Sequence, residues 1–384
     1  MTRPASGSTN FGAGSLMENA SLPIRATSAQ YGIWVAQQVD PDDPGYLTAE
    51  TVVLDGAVDF VALADSVKAV LDHADTLHMR FMWQDDTLWQ VRQTPCTQLP
   101  LVDLSAEDDP ARAAHAWMRA SLSICCDVTA DPLYRTALLR LSPTQHWWYL
   151  QVHHIALDGF GYGLLQQAVA ARYNARVAGA PLPMLPDWRI DRVVEAEARY
   201  RAEGRFDADR AFWREHLRDV PAPVVLAPKH EIGHDARRMT YVLDAARVQT
   251  LHVAAERLAV DWNAWLLCAT GLWLAKQGGQ RDLTLGLPVM NRLGTPGARR
   301  AVHGDEHRAA ARACRCGALA ARTRARMRGA AARDQAAPVL PVWVDSRRSR
   351  PAGAQRIPVQ PSRQCDAVRA ASHLSRARKR HTRD

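Results

Sequence analysis

The stretch His153–His154–Ile155–Ala156–Leu157–Asp158–Gly159 is the most informative in the chain. It closes an alternating run, 146–153, and leads into Phe160–Gly161–Tyr162–Gly163, a glycine-containing helix start. Successive strand residues face opposite sides. His153 and His154 therefore point apart, one toward a cavity and the other inward. That adjacency argues against a two-histidine, one-carboxylate metal site, although the composition would permit one. Glycines beside the pair let a ligand approach the backbone closely.

Outward from this stretch, strand and helix patterns alternate. Residues 133–141, a turn at Ser142–Pro143–Thr144–Gln145, and 146–153 read as a β-hairpin. Residues 160–177 read as a helix, and 180–186, with three prolines, break the chain between two lobes. Upstream, 51–54 is β-rich, and Phe60, Leu63, Val67, Val70 and Leu71 fall at helical spacing. Downstream, 190–204 and 207–217 are helical, the second with Phe212, Trp213 and Leu217 on one side. Residues 221–228 form an extended connector, and 245–258 and 262–276 are helices. The apolar centre of the latter predicts burial. Residues 283–289 read as a central strand, and regular patterning stops near Pro296.

At 384 residues, 47% hydrophobic and 23% charged, the chain is globular by composition. No apolar run approaches the ~18 residues of a membrane helix. Residues 1–20 are a loose polar leader without the basic start and apolar core of a secretory signal. Seven cysteines without ligand spacing suit a reducing cytoplasm. Cys125–Cys126 lies in a surface loop and lacks a CxxC redox pattern.

The net charge of +8 belongs to one end of the chain: 297–384 carry +15 and 1–296 carry −7. The body therefore gives no reason to expect a nucleic-acid partner. The tail holds twenty arginines and one lysine but only three leucines, one isoleucine and no phenylalanine or tyrosine. It cannot bury enough apolar area to order itself, and it lacks the interleaved aromatics of a nucleic-acid arm. Translation of a GC-rich gene in a shifted frame accounts for it. GARRAVHGDEH at 297–307 and the buried-looking ALGVPCMAMNI can be written from the same bases, one base out of step.

The string HHxxxDG at 153–159, between a strand and a helix, resembles the active-site signature of the chloramphenicol-acetyltransferase-like superfamily. Within it, the chain resembles a condensation domain of nonribosomal peptide synthetases. Thr27–Ser28–Ala29–Gln30–Tyr31–Gly32–Ile33–Trp34 is similar to the opening S-x-A-Q-x-x-x-W motif. Ala74–Asp75–Thr76–Leu77–His78–Met79–Arg80–Phe81 resembles RHExLRTxF, with Asp75 in place of Glu and His78 in place of an Arg. YNARVAGAPLPML at 173–185 and FDADRAFWREHL at 206–217 match later family segments, as does Gly286–Leu287–Pro288–Val289–Met290–Asn291–Arg292. The likeness runs from about residue 21 to 296. Trp34, Phe81, Phe212 and Trp213 read as core anchors, and Asp75 and Arg80 as local structural groups.

The resemblance implies an α/β fold of two chloramphenicol-acetyltransferase-like lobes, an α+β two-layer arrangement. The N-terminal lobe would span 21–185 and a truncated C-terminal lobe 186–296, followed by a disordered tail at 297–384. It implies amide-bond formation between substrates on phosphopantetheine arms of donor and acceptor carrier proteins, beside an adenylation domain. No directly bound cofactor, metal, nucleic acid or membrane is expected, and the setting is cytoplasmic. His154 would be the base or positioning group and His153 a packing residue. Asp158 would be structural, paired with Arg292, and Gly159 would admit the acceptor. The missing part of the second lobe would impair folding and activity. Two alternatives are an acyl-CoA-dependent acyltransferase of the same superfamily and an inactive docking remnant. An epimerase-like relative is a lesser one.

Overall fold

In the computed structural model, residues 22–218, 224–226, 239–258, 260–279, 283–289 and 306–313 are described. All of them belong to a compact unit, Met1–Val344; the second unit, Asp345–Asp384, lies outside the described residues, as does the leader. The described residues open with strand β1 (Ile24–Arg25) and helix α1 (Ser28–Gln37). Thr27 starts α1 with a capping box. Gln30 N–H donates to Thr27 Oγ1 (3.2 Å) and Thr27 N–H donates to Gln30 Oε1 (2.9 Å), which satisfies two helix-end amides. Buried Gln30 also exchanges amide bonds with Gln90 (3.0 and 3.1 Å). Threonine and glutamine in the opening motif thus serve a helix start and a buried polar pair.

Strand β2 (Leu47–Asp55) precedes helix α2 (Phe60–His73), which Asp59 caps through Ala62 N–H (2.9 Å). Strands β3 (Met79–Gln84) and β4 (Thr87–Arg92) form a hairpin whose two turn residues, Asp85 and Asp86, have φ of 49° and 56°. Two successive positive φ values match the twist of paired strands, and aspartate tolerates them. Strand β5 (Leu101–Asp103), helix α3 (Pro110–Leu122), strands β6 (Tyr134–Ser142) and β7 (Gln145–His153), and helix α4 (Gly159–Val177) complete the first half.

One sheet has the order β1-β4-β3 and a second the order β2-β7-β6-β5. In the second, β2 and β6 flank β7 antiparallel, with Leu47 opposite His153. The parallel strand β5 meets β6 only at Leu138–Leu139–Arg140. One face of this sheet presents Leu138, Trp148, Leu150 and Val152 to Val67, Val70 and Leu71 of α2 and to Leu165 and Val169 of α4. The opposite face sets Ala137, Leu139 and Leu141 against Ala114 of α3. Each such valine or leucine contributes ~1.5–3 kcal/mol through burial. Cover on both faces explains why Ala137, Leu138 and Leu139 are apolar on successive positions in the middle of β6.

The second half comprises α5 (Asp191–Ala202), α6 (Arg205–His216), α7 (Ala245–Arg257), α8 (Trp262–Gly278), β8 (Leu283–Val289) and β9 (Glu306–Ala313). Its attachment to the first half is apolar and polar together: buried Trp188 and Ile190, with Val193 and Val194 of α5, pack into the core that α2 and the sheet share, and ion pairs lie beside them. Arg92 grips Asp75 with two bonds (2.9 and 3.0 Å) and reaches Asp191 (2.6 Å), while Asp75 also accepts Ile190 N–H (3.1 Å). Glu197 accepts Ser28 N–H (2.9 Å) at the start of α1, where a carboxylate suits the helix dipole. Asp75 is structural, as its place in the sequence suggested. Arg80 is too: it donates to Ala130 O (3.2 Å).

Several expectations change. Helix α8 is not sunk in a core: Trp262, Leu266 and Trp273 are exposed, and only Gly271 and Ala275 are buried. Its apolar surface is wider than the described neighbours α7, β8 and β9 can cover. Phe212 is exposed at 40% and stacks edge-on against Trp213, which is the buried member of the pair. Strand β8 has one described partner, β9, rather than two. Within 297–384, where no regular structure was expected, 306–313 forms that partner; strand pairing is a backbone interaction and does not demand apolar side chains. Most of the connector at 221–228 lies outside the described residues. Among the described residues no single helix is long and apolar enough to cross a membrane.

Candidate active site

Strand β7 ends at His153, and the chain turns through 154–157 into α4. His153 is 1% exposed and stands in the sheet, with its N–H donating to Leu133 O (2.7 Å). Its Nδ1 accepts Ile155 N–H (3.2 Å) and its Nε2 meets Gln37 Oε1 (2.9 Å). Burial pushes its pKa down to about 4, and the neighbouring His154 acts in the same sense. This ring is a neutral, packed side chain.

His154 leaves the ladder and is only partly buried. Its backbone N–H donates to Tyr46 O (2.7 Å), and its Nδ1 lies 2.8 Å from Leu157 O. A carbonyl only accepts, so Nδ1 carries a proton, and Nε2 is the ring nitrogen that this bond leaves able to accept. The two histidines therefore separate, with His154 the less buried one.

Asp158 is fully buried and caps α4, accepting Gly161 N–H at 2.8 Å. Its expected partner Arg292 lies outside the described residues. The glycines divide by role. A Cβ on Gly161 would stand 2.4 Å from Leu157 Cδ1, whereas one on Gly159 or Gly163 would meet no atom within 4 Å. Gly161, which the sequence did not single out, is the position that packing forces to be glycine. Space beside Gly159 suits approach by a ligand. Tyr162, also missed, is buried and ties α4 to β2 through its hydroxyl, which donates to Thr48 O (2.8 Å). Gln37 is the third residue missed; it lies three residues beyond the opening motif, and its contact with His153 is distant in sequence.

Other reactive groups lie apart from this turn. Burial raises the Cys126 thiol to about 12 and Cys125 moves in the same direction, which leaves neither a ready thiolate. Among the described residues no cluster of histidine, cysteine, aspartate or glutamate could hold a metal ion. A cavity of about 910 Å³ sits between the start of β6, α3 and 93–100; its described lining does not include His154.

A family model for the condensation domain matches residues 23–302. The chain is 34% identical over 280 residues to a dimodular nonribosomal peptide synthase of Bacillus subtilis, covering 72% of this chain and 12% of that protein. It is 37% identical over 273 residues to an isonitrile lipopeptide synthase of Streptomyces coeruleorubidus, covering 70% and 18%. The chain thus spans under a fifth of either relative. Among solved structures, it is similar to a variant of the starter condensation domain of rhizomide synthetase in complex with C8-CoA. That match has a TM-score of 0.76 and 30% identity, and covers 86% of this chain and 76% of that one.

Proposed function

The chain belongs to the condensation-domain family, with the chloramphenicol-acetyltransferase-like fold of that family, and from that premise we propose that it joins a donor acyl or peptidyl thioester to the amine of an acceptor aminoacyl thioester. Both substrates ride on phosphopantetheine arms of carrier proteins, in a cytoplasmic assembly line that also holds an adenylation domain. The acceptor nitrogen attacks the donor carbonyl carbon and a C–N bond forms. The C–S bond breaks, thiolate leaves, and the proton lost by the amine ends on that sulfur or in solvent. His154 acts on the amine, with Nε2 taking its proton or holding it in line for attack. A thioester is already activated and an α-amine ionises near neutral pH, so positioning alone is chemically sufficient. Asp158 and Arg292 are read as a supporting ion pair, and Gly159 as the point of closest approach for the acceptor.

The observation that best supports this reading is the Nδ1–H bond from partly open His154 to Leu157 O. The test is His154→Ala, assayed with loaded donor and acceptor carriers. Product formation should fall ~100-fold or more, with the circular dichroism spectrum unchanged. An undiminished rate rejects the role of His154.

A second reading takes the donor from an acyl-CoA rather than a carrier. It is favoured by the similar starter domain that holds C8-CoA. Turnover of C8-CoA with a loaded acceptor and no donor carrier would select it.

A further inference from the structure

This inference rests on the role proposed for His154 and concerns what holds that ring. Gln37, at the end of α1, is 6% exposed and uses both ends of its amide. Its Nε2 donates to the carbonyls of Pro41 (3.3 Å) and Asp43 (3.1 Å). Those acceptors fix which end of the amide is nitrogen, so Oε1 is the atom facing His153 Nε2 at 2.9 Å. Independently, His153 Nδ1 accepts Ile155 N–H, which puts the proton of the neutral ring on Nε2. Four contacts thus agree on one amide orientation and one tautomer.

The same ring anchors the turn that carries His154. His153 O accepts Ala156 N–H (2.9 Å), Ile155 N–H bonds the His153 ring, and the turn ends at Leu157, whose carbonyl receives His154 Nδ1–H. Tyr46, whose backbone holds His154 N–H, follows the 38–43 loop that Gln37 gathers. We propose that Gln37 is a positioning residue: it locks His153 as the Nε2–H tautomer and, through the 154–157 turn, keeps His154 in the Nδ1–H form. The titratable groups facing His153 are His154 beside it and Tyr46, whose ring centroid is 6.4 Å away.

The test uses the full chain, with two-bond ¹H–¹⁵N spectra of the histidine rings. The parent should show Nε2–H for His153 and Nδ1–H for His154. In folded Gln37→Leu both signatures should weaken. The kcat for condensation should drop about 10- to 100-fold, the scale that a displaced catalytic group costs, at unchanged KM for the carriers. Gln37→Glu keeps an acceptor and adds charge. It should retain the His153 tautomer at neutral pH and move its titration to higher pH than in the parent, since a carboxylate favours the charged ring. Parent-like signatures in Gln37→Leu, or His153 titrating as in the parent in Gln37→Glu, overturn the proposal. If the parent makes no amide product, the functional reading fails while the ring spectra still decide this one.

Discussion

His153 and His154 share a peptide bond and little else. One is sealed in the sheet with both ring nitrogens engaged; the other stands where the strand ends and its ring reaches a less buried setting. The sealed ring makes stability depend on pH. Its folded pKa, about 4, lies below the unfolded value near 6.5, so the unfolded chain takes up a proton first as pH falls. Stability from this group is complete above pH 6.5 and is lost between there and about 4, by ~3 kcal/mol in all. His78 and His146, also pushed down by burial, act in the same direction. Urea midpoints measured at pH 7 and pH 5 should show the loss, and His153→Gln should flatten it. An equal slope in that variant would remove His153 as the source.

Helix α4 is the element that makes the histidine turn possible, and its first turn carries two separable demands. Asp158→Ala should lose the cap to Gly161 and cost ~0.5–2 kcal/mol, whereas Asp158→Asn keeps an acceptor oxygen and should retain that share. A melting temperature equally low for both would show that the negative charge, rather than the cap, is what matters. Gly161→Ala should cost ~1–3 kcal/mol, because Leu157 is fully buried and cannot move aside. The same change at Gly163, with open space around it, should leave the melt unchanged or raise it. These elements were also the most legible. The β6–β7 hairpin, α2 and α4 follow directly from apolar spacing, and HHxxxDG with its flanking motifs identified the fold. Not read in advance were two helices, α1 and α3, as well as β1, the three-residue β5, and a hairpin turned by two aspartates where glycine or asparagine would have signalled it. Gln37 was hidden for a related reason. Its role is a side-chain bond across 116 positions, and no local periodicity encodes such a contact.

For the molecule as a whole, the first half is organised by two apolar cores, and the second is joined to it by Trp188, Ile190, Val193 and Val194, which extend the larger core, and by ion pairs beside them. Burial was legible in advance where both partners lie in the first half. It was misjudged for α8, whose exposed tryptophans depend on surroundings that periodicity does not report. Arg92 holds Asp75 on one side and Asp191 on the other, and between those anchors runs the three-proline stretch 180–186. A protease that nicked that stretch would sever the backbone without parting the pieces, because the packing of Trp188, Ile190, Val193 and Val194, the guanidinium clasp and the Glu197 contact at α1 remain. Cleaved material would travel as one particle on a sizing column, in salt as well as without it, and fall into two only when a denaturant released the buried tryptophan and isoleucine.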